Sequence, residues 1–149
     1  MEIDKMIAPI LGVYTAGLLF ASVCLNIFQE KSSQHKLLLD AMCEVESGCD
    51  PDVIGDNGNA IGPYQIWEVY WTDAIEHDSS IGGQYSDCMN KEYAEKVIFV
   101  YWDRYATEER LEHIPTDEDR ARIHNGGPNG YKKESTVKYW KKVQKCINR

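Results

Sequence analysis

The chain has 149 residues, 43% of them hydrophobic, which suits one compact domain with its own core and argues against two. Sixteen Lys and Arg against 24 Asp and Glu give a formal charge of −8, which argues against a nucleic-acid binder. The imbalance is uneven: residues 131–149 hold seven basic side chains and one acid, Glu134, a net +6 that leaves −14 on residues 1–130. Such a tail is first a solvated helix face and second a contact for an anionic polymer.

The first element is apolar. Met6 to Phe28 contains no charged residue over 23 positions, and as a helix it would reach roughly 34 Å, enough to cross a bilayer. Lys5 precedes it, and Ser22 and Cys24 offer a small-residue cleavage site, so the run fits a signal peptide or, uncut, a signal-anchor. Residues 1–28 are accordingly read as signal peptide or anchor, 29–38 as a linker and 39–149 as the working domain. That domain is expected to be secreted, or membrane-anchored through residues 6–28 and facing the outside or a lumen. Cysteine usage agrees with export. Cys24 lies in the apolar run, while Cys43, Cys49, Cys88 and Cys146 form an even set able to make two disulfides, with three pairings open. No CxxC occurs and His35, His77, His113 and His124 lack ligand spacing, so neither metal nor cofactor is expected.

Past the linker the pattern is helical, with almost no alternating strand signal. Lys36–Ser47 predicts a helix with Leu37, Leu38, Met42 and Val45 apolar, stopped at Gly48. Asp50–Gly62, DPDVIGDNGNAIG, is dense in Pro, Gly, Asp and Asn and predicts a loop or short hairpin. Tyr64–Ile75 and Asp87–Ala106 predict helices; in the second, Met89, Tyr93, Val97, Val100 and Tyr101 recur at spacings of three and four, a core stripe. Thr116, with Asp119 three residues on, predicts the cap of a helix through Ile123. Ser135 predicts the cap of a last helix through Cys146, with Val137, Trp140 and Val143 as its stripe. The fold class is mainly α, a small helical domain with a short polar loop or hairpin region.

Two carboxylates stand out. Glu46 falls in the last turn of its helix, where the negative end of the macrodipole disfavours the ionised form and suits a general acid. Asp56 lies ten residues on, in a loop of polar groups that suits a charged nucleophile or charge stabiliser. Glycosidic bond cleavage uses such a contrasting pair: one group protonates the leaving oxygen, the other meets the developing oxocarbenium ion. By residue chemistry alone, a solvated helix end and a turn former explain the same two positions. A calcium loop does not, because Ile54 and Ile61 stand where an EF-hand needs oxygen ligands.

Five segments carry a resemblance: CEVESGC (43–49), GPYQIWEVYW (62–71), YWDRYA (101–106), ARIHNGGPNGYKKEST (121–136) and YWKKVQKC (139–146). In order and spacing they resemble the invertebrate-type lysozymes, also called the destabilase family, over about residues 39–146. The resemblance implies an α+β lysozyme-like fold with the polar region beside an active-site cleft. It also implies a glycoside hydrolase that cleaves the β-1,4 bond between N-acetylmuramic acid and N-acetylglucosamine in bacterial peptidoglycan, in antibacterial defence or digestion, with retention of configuration. It puts the catalytic pair on Glu46 and Asp56. The second match needs a one-residue gap before Gly62, which makes Asp52 the reserve. Tyr64, Gln65, His124, Asn125 and Gly126 match the substrate-binding walls. Trp67, Tyr70 and Trp71 can stack on sugars, but core packing is the preferred reading of all three. For His124, site and turn structure weigh evenly.

Departures from the family pattern carry their own expectations. Four cysteines in the domain are fewer than the family usually has, so stability must lean on the core. The family's isopeptidase activity is attributed to a serine, a lysine and the histidine of HNGGP; here Asn59 and Trp67 replace the first two and His124 alone remains. Isopeptidase activity is therefore expected to be absent. ESG followed by AIGPYQI is also similar to goose-type lysozymes and lytic transglycosylases, which need the glutamate alone, so Glu46 is the firmer half of the pair. The acidic balance implies an acidic or digestive setting, or an approach to anionic walls through the basic C-terminal helix. The alternative function is a catalytically inactive module of the same fold that binds peptidoglycan or chitin-type sugars. Nothing in the pattern sets an oligomeric state.

Overall fold

The computed structural model describes residues 35–149, together with Asn26 and Ser33. The run read as signal peptide or anchor lies, Asn26 apart, outside the described residues, as does half of the 29–38 stretch. Among the described residues no helix is long and apolar enough to cross a membrane.

The compact unit begins at His35, and its first helix, α1, runs Lys36–Ser47. It buries Leu38, Leu39, Ala41, Met42 and Cys43, whereas Leu37 is exposed, so the apolar stripe is turned by one residue from the expected one. Gly48 ends α1 in the left-handed conformation (φ 68°, ψ 26°), which a residue without Cβ adopts at little cost. Cys49 follows, also at positive φ, and its disulfide to Cys43 closes the last turn on itself. Cys88 and Cys146 are free. Among the described residues one disulfide therefore stands where two were expected: Cys88 is buried under the Gly62 turn, and Cys146 sits near the far end of the last helix.

The polar stretch folds as a hairpin. β1 (Ile54–Gly55) and β2 (Ala60–Ile61) pair antiparallel around a tight turn at Asp56–Gly58, and β3 (Ile66–Trp67) pairs antiparallel with β2 in the order β1-β2-β3. The register sets Ile54 opposite Ile61, Ile61 opposite Ile66, and Ala60 opposite Trp67. This corrects the expected helix from Tyr64: α2 begins only at Glu68 and runs to His77. Gly62 and Gln65 both take positive φ, Pro63 has no N–H to give, and the chain turns back to pair with β2 before it can wind. At Gly62 a Cβ would run into the Cys88 carbonyl, so the turn and the layer below it meet only because glycine is there.

α3 (Lys91–Tyr105) follows a short 3-10 turn at Tyr85–Met89 and is capped by the Asn90 side chain, which accepts from the Tyr93 N–H. A four-residue helix, α4 (Glu108–Leu111), follows it. α5 (Asp117–Gly126) opens on the Thr116/Asp119 capping box expected from sequence and extends three residues past Ile123. The last helix, α6, runs Val137–Ile147 behind a 3-10 turn at Glu134–Thr136. Ser135 is thus inside that turn and not the cap; Thr136 takes the cap position and spends its hydroxyl on the Gly130 and Lys133 carbonyls.

The core forms where α2 packs on α3, α1 on α6, and α5 on both α3 and α6. Val97, Ile98, Ile123 and Val143 are fully buried at its centre, each worth about 1.5–3 kcal/mol relative to exposure. Lys138, Lys141 and Lys145 stand exposed on α6 away from its buried Tyr139 and Val143, and Lys142, also exposed, flanks them, so most of the basic tail is a solvated face.

Candidate active site

A cleft of about 340 Å³ opens between the end of α1, the hairpin and α5, lined by Glu46, Asp56, Trp67, Tyr70, Asp73 and His124 among others. It brings together Glu46, Asp56, Gln65, His124 and Asn125 of the residues singled out by sequence. Ser47 helps to assemble it, donating from Oγ to the Pro63 carbonyl at 2.9 Å and so tying the end of α1 to the turn after β2.

Glu46 projects from the last turn of α1 with its side chain 17% exposed. Its carboxyl is pushed up to about 7, first by burial, which disfavours the ionised form, and further by the negative charge of Asp56; Tyr139 and Lys142 pull the other way. The direction matches the expectation from sequence, but burial and not the helix end leads the causes. The Tyr139 hydroxyl is buried and makes no hydrogen bond of ordinary geometry; Glu46 is the polar group it acts on.

Asp56 occupies the hairpin tip, exposed and at φ 48°. Its Oδ2 accepts from the Trp67 indole at 3.2 Å, while its backbone carbonyl accepts from Asn59 Nδ2 at 2.8 Å. Asp52 is exposed outside the cleft, with its N–H on Asp50 Oδ1 at 2.9 Å, so the geometry separates the two aspartates that sequence left in reserve of one another.

His124 is buried in the floor. Burial pushes it down to about 4, so the imidazole is neutral at ordinary pH. A carbonyl can only accept, so Nε2 carries the proton toward Tyr64 O at 3.1 Å, and Nδ1 accepts from the Tyr70 hydroxyl at 3.3 Å. Glu46 Oε1 lies 3.7 Å from Nε2; with the ring neutral this is packing and not an ion pair.

The remaining residues singled out by sequence fall on either side of the cleft wall. Tyr64 is fully buried, with its hydroxyl on Glu95 Oε1 at 2.8 Å, and its ring lies outside the cleft. Gln65 lines the cleft but uses Nε2 to brace the Val53 and Gly62 carbonyls at 3.1 and 2.8 Å. Asn125 is exposed on the rim. Gly126 is behind the wall: a Cβ there would press on the Thr136 side chain, so its role is close packing of α5 on the turn before α6. Tyr70 is buried and stacked on Tyr101 at 3.6 Å between ring centroids, in keeping with core packing, and Trp71 is half-buried with Nε1 on the Tyr93 hydroxyl. Trp67 departs from that reading, being 45% exposed on the cleft.

Sequence reasoning missed Asp73 and Tyr139. Asp73 lies a helical turn beyond Tyr70 on the cleft-facing side of α2, and its carboxylate accepts from the Tyr105 hydroxyl at 3.0 Å. Tyr139 and Val143 share a face at i, i+4, a signal that was legible in α6 but points equally to core. Among the described residues no group of three or more His, Cys, Asp or Glu side chains is arranged to hold a metal.

A family model described as Destabilase matches residues 35–146. An invertebrate-type lysozyme of Ruditapes philippinarum is 40% identical over 118 residues, covering 74% of this chain and 79% of that protein. Lysozyme 1 of Crassostrea virginica is 36% identical over 112 residues, covering 71% of this chain; the chain spans 56% of that relative's length. Among solved structures, the lysozyme of Tapes japonica superposes with a TM-score of 0.61 at 36% identity, covering 73% of this chain and 87% of that one. The Meretrix lusoria lysozyme, crystallised in complex with Aeromonas hydrophila PliI, gives a TM-score of 0.62 at 35% identity over the same shares.

Proposed function

This chain belongs to the destabilase family, and from that premise we propose that it is an invertebrate-type lysozyme, a glycosidase that hydrolyses the β-1,4 bond between N-acetylmuramic acid and N-acetylglucosamine in bacterial peptidoglycan. The observation that carries the reading is the pairing, in one cleft, of a shielded carboxyl poised near neutrality, Glu46, with an exposed aspartate, Asp56.

The chemistry follows from that contrast. Protonated Glu46 gives its proton to the glycosidic oxygen as the C1–O bond breaks, and Asp56 meets the oxocarbenium ion or forms the glycosyl bond on the opposite face. The Glu46 carboxylate then takes a proton from water, whose oxygen attacks C1 and releases Asp56 as the carboxylate, and the acid is restored. Configuration is retained. Gln65, Asn125 and the ring of Trp67 are the groups within the cleft that face sugar hydroxyls, N-acetyl groups and ring faces; Tyr64 and Gly126 act through the wall behind them.

Since the acid works only when protonated, activity is highest on the acid side of about pH 7 and falls roughly tenfold for each unit above it. That fits a net charge of −8, which repels anionic walls least at low pH. We assign the working domain to the outside of the cell, where its substrate lies.

Isopeptidase activity is proposed to be absent. Serine, cysteine and lysine are missing from the cleft lining among the described residues, and His124 is buried, neutral and committed to Tyr64 and Tyr70. Measurable amine release from a γ-glutamyl-lysine substrate would overturn this.

Turbidity loss of a peptidoglycan suspension across pH 4 to 8, with the oxidised chain and its Glu46→Gln variant, tests the main reading. Lysis that disappears in the variant supports it. Failure of both proteins to lyse, with binding to the insoluble wall retained, would make the chain a sugar-binding module of the same fold.

A further inference from the structure

Trp67 combines two features that no other cleft residue shares. Its indole Nε1 donates to Asp56 Oδ2, and its ring is 45% exposed in the cleft, whereas Tyr70 and Tyr101 have their faces stacked on each other. The exposed part of the ring adds little to folding, which leaves it open to a ligand in the cleft.

The supports of the two partners differ. Trp67 stands in β3 opposite Ala60, between buried Ile66, whose carbonyl accepts from the Tyr85 hydroxyl at 2.8 Å, and Glu68, where α2 starts. Its backbone is held on both sides. Asp56 is at the exposed tip, at φ 48° and followed by Asn57 at φ 57°, a conformation costly for residues with a Cβ. The bond from Asn59 steadies its carbonyl and leaves the side chain free to rotate. Among the described residues, the hydrogen bond that orients the carboxylate comes from Trp67.

We propose that Trp67 is a positioning residue for Asp56 through its N–H, and at the same time the wall on which an N-acetylhexosamine ring stacks. This rests on the reading of Asp56 as the second carboxylate of the lysozyme. The two roles do not compete: the N–H lies in the indole plane and serves the carboxylate at the ring's edge, while a sugar takes the face. A sugar seated there also excludes water from the N–H to carboxylate bond, which strengthens it as the local dielectric falls. Stacking on the sugar thereby tightens the orientation of the group that must meet C1, so that binding remote from the bond serves the chemistry.

The test uses the full oxidised chain, with N-acetylglucosamine oligomers and peptidoglycan as the probes, and steady-state kinetics corrected for the folded fraction. Trp67→Phe keeps a ring face and loses the N–H; kcat is expected to fall about tenfold with KM within about twofold. Trp67→Leu loses both, and KM is expected to rise about five- to tenfold on top of the same kcat loss. Asp56→Asn is measured beside them. If Trp67→Phe keeps the parent kcat while Asp56→Asn is inactive, the positioning role is overturned and the lysozyme reading stands. If Asp56→Asn stays active, the reading of Asp56 falls and the inference falls with it. A KM for Trp67→Leu equal to the parent's overturns the stacking role, and a kcat loss that disappears on correction for folding overturns positioning.

Discussion

Glu46 and Asp56 lie ten residues apart and line one cleft, yet they are mounted in opposite ways. Glu46 stands in the last turn of a twelve-residue helix, a turn closed by the Cys43–Cys49 disulfide, and its carboxyl is mostly shielded from water. Asp56 tips a hairpin of two-residue strands and is exposed, steadied by one indole. A group that must hold a proton near neutral pH needs a rigid, dry place; a group that must meet positive charge needs access and an orienting contact. On the proposed reading, the two carboxylates take different tasks from burial and support, not from side-chain chemistry.

The largest loss is expected of Glu46→Gln, for which lysis should fall about a thousandfold or more at every pH. The same variant tests burial. A folded-state value raised from 4.5 to about 7 means that the stability this group contributes is full below 4.5 and is lost as pH rises through about 7. Gln keeps the neutral form throughout. Thermal melts should show the variant equal to the parent at pH 4 and more stable at pH 8 by up to about 3 kcal/mol.

Asp56→Asn should cost activity about a hundredfold and leave the melting temperature nearly unchanged, because the side chain is exposed. Asp52→Asn, outside the cleft, should stay within about twofold of the parent in the same assay. Comparable losses in the two would erase the distinction between the aspartates.

Cys43→Ser opens the last turn of α1 and is expected to cost about 2 kcal/mol in denaturant melts. With Glu46 less firmly buried, the alkaline limb of the pH–rate profile should move toward acid. The smallest effect is expected of Tyr139→Phe. Its hydroxyl holds the Glu46 value down, so removing it should move that limb toward alkaline pH. A downward move would mean that the hydroxyl does not favour the ionised carboxyl.

Local rules accounted for α1, its Gly48 stop, the hairpin at 50–62 and the Thr116/Asp119 capping box, because each depends on contacts within a few residues. They failed at Tyr64–Trp67. GPYQIWEVYW is nearly continuous in apolar and aromatic residues, and such a run has no period that separates strand from helix. Ser135 failed for a related reason: a 3-10 turn held by the Thr136 hydroxyl takes the space a cap would use. Of the cleft lining, Glu46, Asp56, His124 and Asn125 were singled out through motif resemblance and Asp73 was not; neither was Tyr139, which acts on Glu46, since each sits in a helical pattern that reads as surface or core.

By itself, then, the sequence determined the family, the helical class and the positions of the two carboxylates, all of which are written in residue type and short spacing. Tertiary structure alone decided that Asp56 and not Asp52 faces Glu46, that Cys43 joins Cys49, that Tyr64 turns inward, and that Trp67 turns out to hold the aspartate. The physical reason is shared. Burial, pairing partner and side-chain direction depend on what other elements bring to the same place: β3 and α5 line this cleft from 10 or more residues past Asp56, and α6 brings Tyr139 to Glu46 from 93 residues further along.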